Sequence, residues 1–484
     1  MRRAKPYLPF LIAIAVTLPG IGVRLMGLHF DPPVMAAVSG LAILGASFLL
    51  LWACDAAQAD ISQALALAVV ALVAVLPEYA VDMYFTWQAG QNPASEYAQY
   101  ALANMTGANR LLIGVAWGAI AVLYWLRCRR AVRLTKDRRL ELVFLTMATG
   151  YAFIIPIKGT LAWYDGLVFL GIYVWYIVLA GRRACVETEA EGPAELIIRL
   201  HRTRRRLTVA GLFLFAGGAI LANAEPFCEG LIGTGKALHI SEFLLVQWLA
   251  PIASEAPEFT VALMFAWRGH ASLALGSLLS SKLNQWTLLV GTIPGVFALA
   301  HGSLDHPLPM GSFQMHEILL TAAQSLLAVL MLASLRLTVV GSLLLFGLFV
   351  GQLVMPGMVE KFPTLSMGLP PEHVHLLFAI LYLVAAAAVF MQRPARLWGL
   401  LKGLRSEKVV CHPHAGAVCA AGVHAAAGHQ AATAQAGDER LPKECRTCSW
   451  RLSGIQRMHG VDPGKPLSCD EPGDGPDATQ AGKR

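Results

Sequence analysis

The chain has 484 residues, of which 56% are hydrophobic and only 14% are charged, and its mean hydropathy is +0.56. This composition excludes a soluble globule of this size, because too few polar side chains remain to cover its surface, and it predicts a polytopic membrane protein. The net charge of +7 does not indicate a nucleic-acid partner, since the Lys and Arg residues fall mostly between apolar segments and in the C-terminal tail, as they do when they encode membrane topology.

Twelve apolar stretches are long enough to cross a hydrocarbon core, which takes about 20 residues of helix. We expect all of them to be helices, because a lipid-exposed strand edge would leave backbone groups unsatisfied and the alternating pattern of a membrane barrel is absent. The predicted fold class is therefore an all-α polytopic membrane protein. The spans are predicted near residues 7–27, 33–54, 62–88, 98–125, 140–157, 161–180, 207–235, 240–267, 271–300, 312–333, 338–356 and 371–391.

Basic residues predict the orientation of these helices. With twelve spans, every basic cluster lies on one side of the membrane, and the positive-inside rule makes that side cytoplasmic. We therefore expect a multi-pass protein of the cell (inner) membrane with both termini in the cytoplasm. The clusters are the amino terminus (Arg2, Arg3, Lys5), the loops Arg127–Arg139 and Arg182–Arg206, the turns at Arg268 and Arg336, and the segment Arg393–Lys408.

Two Pro-Glu pairs indicate an internal repeat. Pro77-Glu78 and Pro257-Glu258 each lie in a predicted span, and each is followed by a Trp nine residues after the Glu. Because these are the third and eighth spans, they cross in opposite directions, which predicts two inverted repeats of five helices each. The predicted organisation is an extra N-terminal helix (1–32), a first repeat (33–180), a basic cytoplasmic linker (181–206), a second repeat (207–356), an extra C-terminal helix (357–402) and a cytosolic tail (403–484).

The Pro-Glu pairs also predict chemistry. A Pro inside a spanning helix frees backbone carbonyls about a turn earlier, and carbonyls beside a carboxylate suit hard cations. Glu78 and Glu258 are therefore predicted to bind a metal cation as transported substrate, the alternative being structural carboxylates neutralised by a nearby base. Asp82, one turn after Glu78, and Asn104 are predicted to modulate this site.

With these motifs, the chain resembles the sodium/calcium exchanger superfamily of cation antiporters over about residues 33–356. That family carries two inverted repeats, each with a Gly-Thr-Ser-x-Pro-Glu helix followed by a Gly-Ser-Asn-x-x-Asn/Asp helix. In the second repeat, Ser254-Glu255 stand at the Thr-Ser position, and residues 280–285 stand at the second motif. The resemblance implies an ion-binding set of Glu78, Glu258, Ser254, Glu255, Ser281 and Gln285.

This sequence departs from the family pattern at several positions. A Lys, Lys282, lies within the second motif of the second repeat, and one interpretation is that its ammonium pairs with Glu255 or Glu258 where a cation would otherwise sit. In the first repeat the motif becomes residues 107–112, in which Asn109 is kept and is predicted to modulate the site together with Lys282. Most other polar ligands of the first repeat are absent, with Ala74, Val75, Ala108 and Leu112 in their places.

The resemblance implies a secondary transporter rather than an enzyme, with no catalytic residues and no cofactor. We expect an antiporter that works by alternating access around a midplane site, carrying Na⁺ and Ca²⁺ or H⁺. The alternatives are a Na⁺/H⁺ or other monovalent-cation antiporter, and a non-transporting membrane protein on the same fold. Its partners are the lipid bilayer and inorganic cations, and its oligomeric state is open. No Walker loop supports ATP-driven pumping.

The C-terminal tail contains scattered Cys and His residues. Cys445-x-x-Cys448 has the spacing of a metal knuckle, but no second closely spaced pair completes a zinc site. The tail is otherwise rich in Ala, Gly, His, Pro and charged residues. We therefore predict a largely disordered tail with incidental thiols, with a zinc site as the alternative.

Overall fold

The protein is described by a computed structural model that covers residues 7–60, 75–182, 193–361 and 370–392. Several parts of the predictions lie outside these residues: the first six residues, the first part of the predicted span 62–88 together with Ala74, residues 183–192 of the predicted linker, parts of the predicted C-terminal helix segment 357–402, and the tail with its Cys/His motif. Of the predicted linker, residues 181–182 and 193–206 are described.

Helices account for nearly all of the described first half. Short segments that are not α-helical interrupt them, among them the strand β1 (Val132–Arg133), a 3₁₀ turn (Lys136–Arg138) and a π-helical segment (Leu112–Trp117). The helices are α1 (Leu8–Met26), α2 (Pro32–Ala57), α3 (Leu76–Gln91), α4 (Tyr97–Leu111), α5 (Gly118–Cys128), α6 (Arg139–Ala152), α7 (Ile154–Lys158) and α8 (Trp163–Gly181).

The described second half has a similar layout. It contains the strand β2 (Arg336–Leu337) and a second π-helical segment (Gln285–Leu289). Its helices are α9 (Ala194–Ile198), α10 (Arg202–Leu238), α11 (Glu242–Arg268), α12 (Ala271–Asn284), α13 (Val290–His301), α14 (Ser312–Leu332), α15 (Val339–Lys361) and α16 (Pro371–Gln392).

Local sequence explains where several of these helices begin and end. Proline occupies the first turn of α2 and of α3, where its missing N–H is not needed. Helix α11 ends at Gly269, whose φ of 98° suits a residue without a side chain. Pro257 lies inside α11, as predicted, whereas Pro77 lies in the first turn of α3.

Ten helical spans of the described chain are long and apolar enough to cross a membrane, and they match ten of the twelve predicted spans. The all-α multi-pass fold is thereby confirmed. The other two predicted spans overlap α3 and α11, which carry the Pro-Glu pairs. Helix α11 contains Glu242, Glu255 and Glu258 within 27 residues, which lowers its apolar character, and α3 is described over only 16 residues. The inverted relation of the two repeats stays a prediction.

Contacts between distant loops define the two ends of the helix bundle. Strand β1 pairs antiparallel with β2, with Val132 opposite Leu337 and Arg133 opposite Arg336. Two of the predicted basic clusters therefore lie at the same end. A separate bridge joins Leu161, after α7, to Leu308, after α13.

Packing between the two halves places the candidate site at their junction. Across the halves, α2 packs along α10 and α4 packs against α11. Within the second half, α14 packs against α16. The main apolar core contains fully buried aromatic residues from both π-helical segments, Trp117 and Trp286, together with Phe144 and Phe297. Polar side chains inside this framework have little access to water, so their partners must come from neighbouring helices.

Candidate ion-binding site

A glutamine joins two buried carboxylates that come from different halves of the chain. The amide nitrogen of Gln285 donates a hydrogen bond of 3.1 Å to Oε2 of Glu78 and a second, short one to Oε1 of Glu255. Glu78 is 3% exposed and Glu255 is 5% exposed. The two carboxylates therefore lie on either side of one neutral donor, an arrangement that suits exchange of the donor for a cation.

The π-helical segments lie next to the polar residues of the site. Gln285 is the first residue of the second segment, and the first segment begins two residues after Arg110. A π-helical turn adds a residue to the turn and changes the direction of the side chains that follow, and such turns occur frequently at functional sites. The two segments therefore lie at corresponding places in the two halves, directly after the site residues of α4 and α12 and, in the second half, at Gln285 itself.

Glu258 lies near the bridged pair on α11 and has a hydrogen-bond partner of its own. It is half-buried, and its Oε2 accepts a short hydrogen bond from the hydroxyl of Ser281. Ser254 directs its hydroxyl to its own helix, with the backbone oxygens of Ala250 and Pro251 at 3.2 and 3.3 Å. The structure thus joins Gln285 to Glu78 and Glu255, and Ser281 to Glu258, whereas among the described residues Ser254 makes hydrogen bonds within its own helix only.

Lys282 is completely buried and is held by the first half of the chain. Its Nζ lies 2.6 Å from Oδ1 and 3.3 Å from the backbone oxygen of Asn109. It also lies 4.6 Å from the centre of the Trp286 ring, a cation–π distance. The ammonium therefore bonds to an amide rather than to Glu255 or Glu258, the carboxylates suggested by the sequence.

Asp82 and Asn104 form a second buried polar pair beside Glu78. The amide nitrogen of Asn104 donates a hydrogen bond of 2.7 Å to Oδ1 of Asp82. Within the described residues, several buried oxygens in this region have no hydrogen-bond partner, which is unusual for native proteins. These are Oε1 of Glu78, Oδ2 of Asp82, Oδ1 of Asn104, Oε2 of Glu255 and Oε1 of Gln285.

Such unpaired oxygens suit a cation or a proton, because either supplies the missing positive partner. Within the described ranges, however, no three His, Cys, Asp or Glu side chains converge closely enough to hold a metal ion. A cation at this site would therefore need amide, hydroxyl or backbone oxygens in addition to carboxylates, or a movement of Gln285.

A family model described as sodium/calcium exchanger protein matches residues 32–181 and 208–358. The chain belongs to this family. The exchanger family consists of membrane transporters of cations, so the protein is a cation/Ca²⁺ antiporter by family rather than an enzyme.

Individual relatives agree with this assignment. The crystal structure of the H⁺/Ca²⁺ exchanger CAX aligns with a TM-score of 0.76 at 40% identity, covering 82% of this chain and 97% of that one. CaxA of Alkalimonas amylolytica, a proposed antiporter, is 27% identical over 292 residues, which are 55% of this chain and 85% of that protein. The structure of native YfkE, at 13% identity and a TM-score of 0.52, covers 77% of this chain and 99% of its own and has the same fold.

This exchanger also contains a buried charge cluster that sequence reasoning missed. Arg110 forms a buried salt bridge with Glu317 of α14, and His375 of α16 lies beside the same carboxylate. An ionisable residue inside an apolar span is itself a signal of function, and Glu317 in the predicted span 312–333 carried that signal. Its partners could not be identified from sequence, because Arg110 lies 207 residues away.

Proposed function

We propose that the protein exchanges Ca²⁺ for protons across the membrane at a site built on Glu78 and Glu255. The observation that carries the proposal is the shared amide of Gln285, which holds two buried carboxylates from different halves together. Similarity to an H⁺/Ca²⁺ exchanger at 40% identity supports the choice of ions.

Charge balance favours this pair of ions. Two carboxylates carry two negative charges, which one Ca²⁺ neutralises through oxygen ligands. When Ca²⁺ leaves, buried carboxylates need another positive partner, and protons supply it without bringing a hydration shell into the membrane. Ca²⁺ and protons then compete for the same oxygens, and this competition couples their opposite movements.

The remaining predicted residues have supporting roles in this proposal. Ser281 and Glu258 offer a hydroxyl and a carboxylate next to the bridged pair, and Asp82 with Asn104 extends the polar surface along α3. Alternating exposure of the site to the two sides would follow from relative movement of the two halves. We further propose that the end of the bundle at which β1 pairs with β2 is cytoplasmic, since both strands adjoin basic clusters.

Na⁺/H⁺ exchange is the second candidate. The buried ammonium of Lys282 adds a fixed positive charge near the carboxylates, and this charge disfavours a divalent cation more than a monovalent one. A family member that has lost transport is the third possibility, in keeping with the first-repeat ligands that are absent from the sequence.

The experiment is ion flux in proteoliposomes with Ca²⁺, Na⁺ or K⁺ gradients and an internal pH dye. We expect Ca²⁺ entry to drive proton exit, and we expect Glu78→Gln and Glu255→Gln each to abolish both movements while the protein still elutes as a single folded species. Glu195→Gln is the control, because Glu195 is exposed and pairs with Arg199 on the surface.

The outcomes separate the candidates. Proton movement driven by Na⁺ but not by Ca²⁺ would favour the second candidate. No flux under any gradient would favour the third. Unchanged Ca²⁺ transport in both glutamine variants would contradict the proposed site.

A further inference from the structure

Glu317 is the centre of a buried network that joins four helices. Its Oε2 accepts hydrogen bonds from Nη2 of Arg110, from the amide of Gln247 at 2.6 Å and from the hydroxyl of Thr106 at 3.3 Å. Its Oε1 lies 2.6 Å from Nδ1 of His375. Glu317 and Arg110 are each 1% exposed. A charged group at this depth is retained only when its partners compensate its charge.

The network adjoins the ion-binding site through consecutive residues. Arg110 follows Asn109, and Asn109 holds the ammonium of Lys282. The backbone oxygen of Arg110 also accepts a hydrogen bond of 3.3 Å from the amide of Gln324. The chain therefore has a continuous series of contacts from His375 through Glu317 and Arg110 to the lysine beside the carboxylates.

His375 belongs to a helix outside the segments that match the exchanger family, since the second match ends at residue 358. Its ring lies 5.1 Å from that of Phe313, at the beginning of α14. At the same end of the bundle, the rings of His316 and the exposed His373 lie 5.9 Å apart. His373 is thus exposed, whereas His375, two residues further along α16, is buried against the carboxylate.

The charged groups around His375 can be named helix by helix. From α14 it faces Glu317, and α14 has only one other titratable residue, His316. From α4 comes Arg110, which shares the same carboxylate. Helix α15 has no titratable side chain between Val339 and Val359. On α16 itself, the other titratable residues are Glu372 and His373, one turn or less before His375, and Tyr382, which is buried two turns further along.

The balance of charge in this network depends on His375. With a neutral imidazole, Glu317 and Arg110 cancel each other. A proton on His375 adds one positive charge, strengthens the attraction between His375 and Glu317, and makes the imidazole compete with Arg110 for the carboxylate. The added positive charge acts in a poorly screened interior, on the same carboxylate that Arg110 contacts.

We propose that His375 and Glu317 form a proton-binding site whose occupancy opposes cation binding at Glu78 and Glu255. This inference rests on the proposed cation exchange and adds a second proton-binding group to it. Linkage is reciprocal, so a bound cation lowers the proton affinity of His375 as much as the proton lowers the cation affinity of the carboxylates. Protons then weaken Ca²⁺ binding in two ways. They compete directly for the oxygens of Glu78 and Glu255, and a proton on His375 adds a positive charge that repels the cation.

The test measures the half-saturating Ca²⁺ concentration for transport in proteoliposomes at about pH 5.5 and about pH 8, the interval in which imidazoles change charge. Wild type is compared with His375→Gln, which is always neutral, and His375→Lys, which stays charged. His373→Gln is the matched control two residues away on the exposed surface.

We expect His375→Gln to reduce the pH-dependent change in half-saturating Ca²⁺ by about fivefold or more, a typical size for coupling between sites. His375→Lys should bind Ca²⁺ weakly at both pH values, and His373→Gln should behave as wild type. If His375→Gln does not fold, the charge-conserving double variant Arg110→Gln/Glu317→Gln removes the carboxylate partner of His375 and should give the same loss of pH dependence.

The two proposals fail in different ways. Wild-type pH dependence in His375→Gln, or in the double variant where His375→Gln does not fold, would overturn this inference while leaving Ca²⁺/H⁺ exchange intact. Absence of Ca²⁺ flux in wild type would overturn the proposed function and this inference together.

Discussion

The ammonium of Lys282 lies 2.6 Å from the side-chain oxygen of Asn109. These residues come from the two different segments that match the exchanger family. The contact fixes a positive charge at the junction of the halves without pairing it directly to a carboxylate. Its charge therefore repels cations that bind nearby, and its hydrogen bond joins the two halves of the chain.

Replacing this lysine should strengthen cation binding. We expect Lys282→Asn to lower the half-saturating Ca²⁺ concentration by about fivefold or more, because the variant removes a fixed positive charge from a poorly screened interior. Isothermal titration of the purified protein with Ca²⁺ measures this change. Lys136→Asn, in the loop that precedes α6, is the control. Equal Ca²⁺ affinity and ion preference in Lys282→Asn and wild type would show that the ammonium does not act on the bound ion.

A third carboxylate at position 285 should make stability depend on Ca²⁺. In Gln285→Glu the shared donor becomes an acceptor, so three carboxylates face one another and the cation-free protein loses thermal stability. A third carboxylate ligand lowers the Kd for Ca²⁺. At one fixed free Ca²⁺ concentration the added stability grows as the Kd falls, and it is about 2.7 kcal/mol at a hundred times the Kd. The Ca²⁺-induced increase in Tm, measured by differential scanning fluorimetry, should therefore exceed that of wild type.

The control for this variant is Gln99→Glu, because Gln99 is exposed at the beginning of α4. It introduces the same charge where water can solvate it, and its Tm should respond to Ca²⁺ as wild type does. A Gln285→Glu protein with the same Ca²⁺ response as Gln99→Glu would remove Gln285 from the ion-binding site.

The sequence was sufficient to predict the membrane helices, because hydropathy over about 20 residues is a local property. It also singled out Glu78 and the Glu255–Glu258 region, because ionisable residues in apolar spans are conspicuous. Which glutamate of α11 approaches Glu78 could not be predicted, since Glu255 and Glu258 are three residues apart and lie on neighbouring parts of one face. That choice depends on helix rotation and on the π-helical turn at Gln285.

The Glu317 network shows a second limit of the sequence. Arg110 is a charged residue inside a predicted span, but its counter-charge lies on α14 and the neighbouring imidazole on α16. Contacts over such sequence distances are fixed by tertiary packing, which a single sequence does not reveal. The family match also ends before His375, so the resemblance offered no indication of this residue.

Close approach of α4 and α11 gives a test of the helix packing. A Cβ atom added at Gly107 would lie 2.0 Å from the backbone oxygen of Gln247, so Gly107→Ala must push the helices apart. Overpacking of this kind costs about 1–3 kcal/mol, and we expect a lower Tm and weaker Ca²⁺ transport. Gly150→Ala is the control, because no atom lies within 4 Å of its added Cβ. Equal Tm values for the two variants would contradict the observed packing.

At the end of α2, Asp60 is held by arginines from the beginning of α10. Arg205 donates to both carboxylate oxygens, at 2.6 and 2.8 Å, while Arg202 and Arg206 lie 3.7 and 3.5 Å from Oδ1. The hydrogen bonds from Arg205, with the positive charges around them, lower the pKa of Asp60 to about 2. In the unfolded chain the pKa of an Asp is about 3.9.

A lowered pKa in the folded state means that ionised Asp60 stabilises the fold above about pH 4, and that this contribution is lost as the pH falls toward 2. We therefore expect Arg205→Ala to lower the Tm at pH 7 and to differ progressively less from wild type between about pH 4 and pH 2, where Asp60 takes up its proton. Arg204→Ala, which removes a neighbouring exposed arginine, is the matched control and should leave the Tm close to that of wild type. If the two variants had the same Tm at pH 7, the contact between Asp60 and Arg205 would contribute nothing to joining α2 and α10, and their association would depend on apolar packing alone.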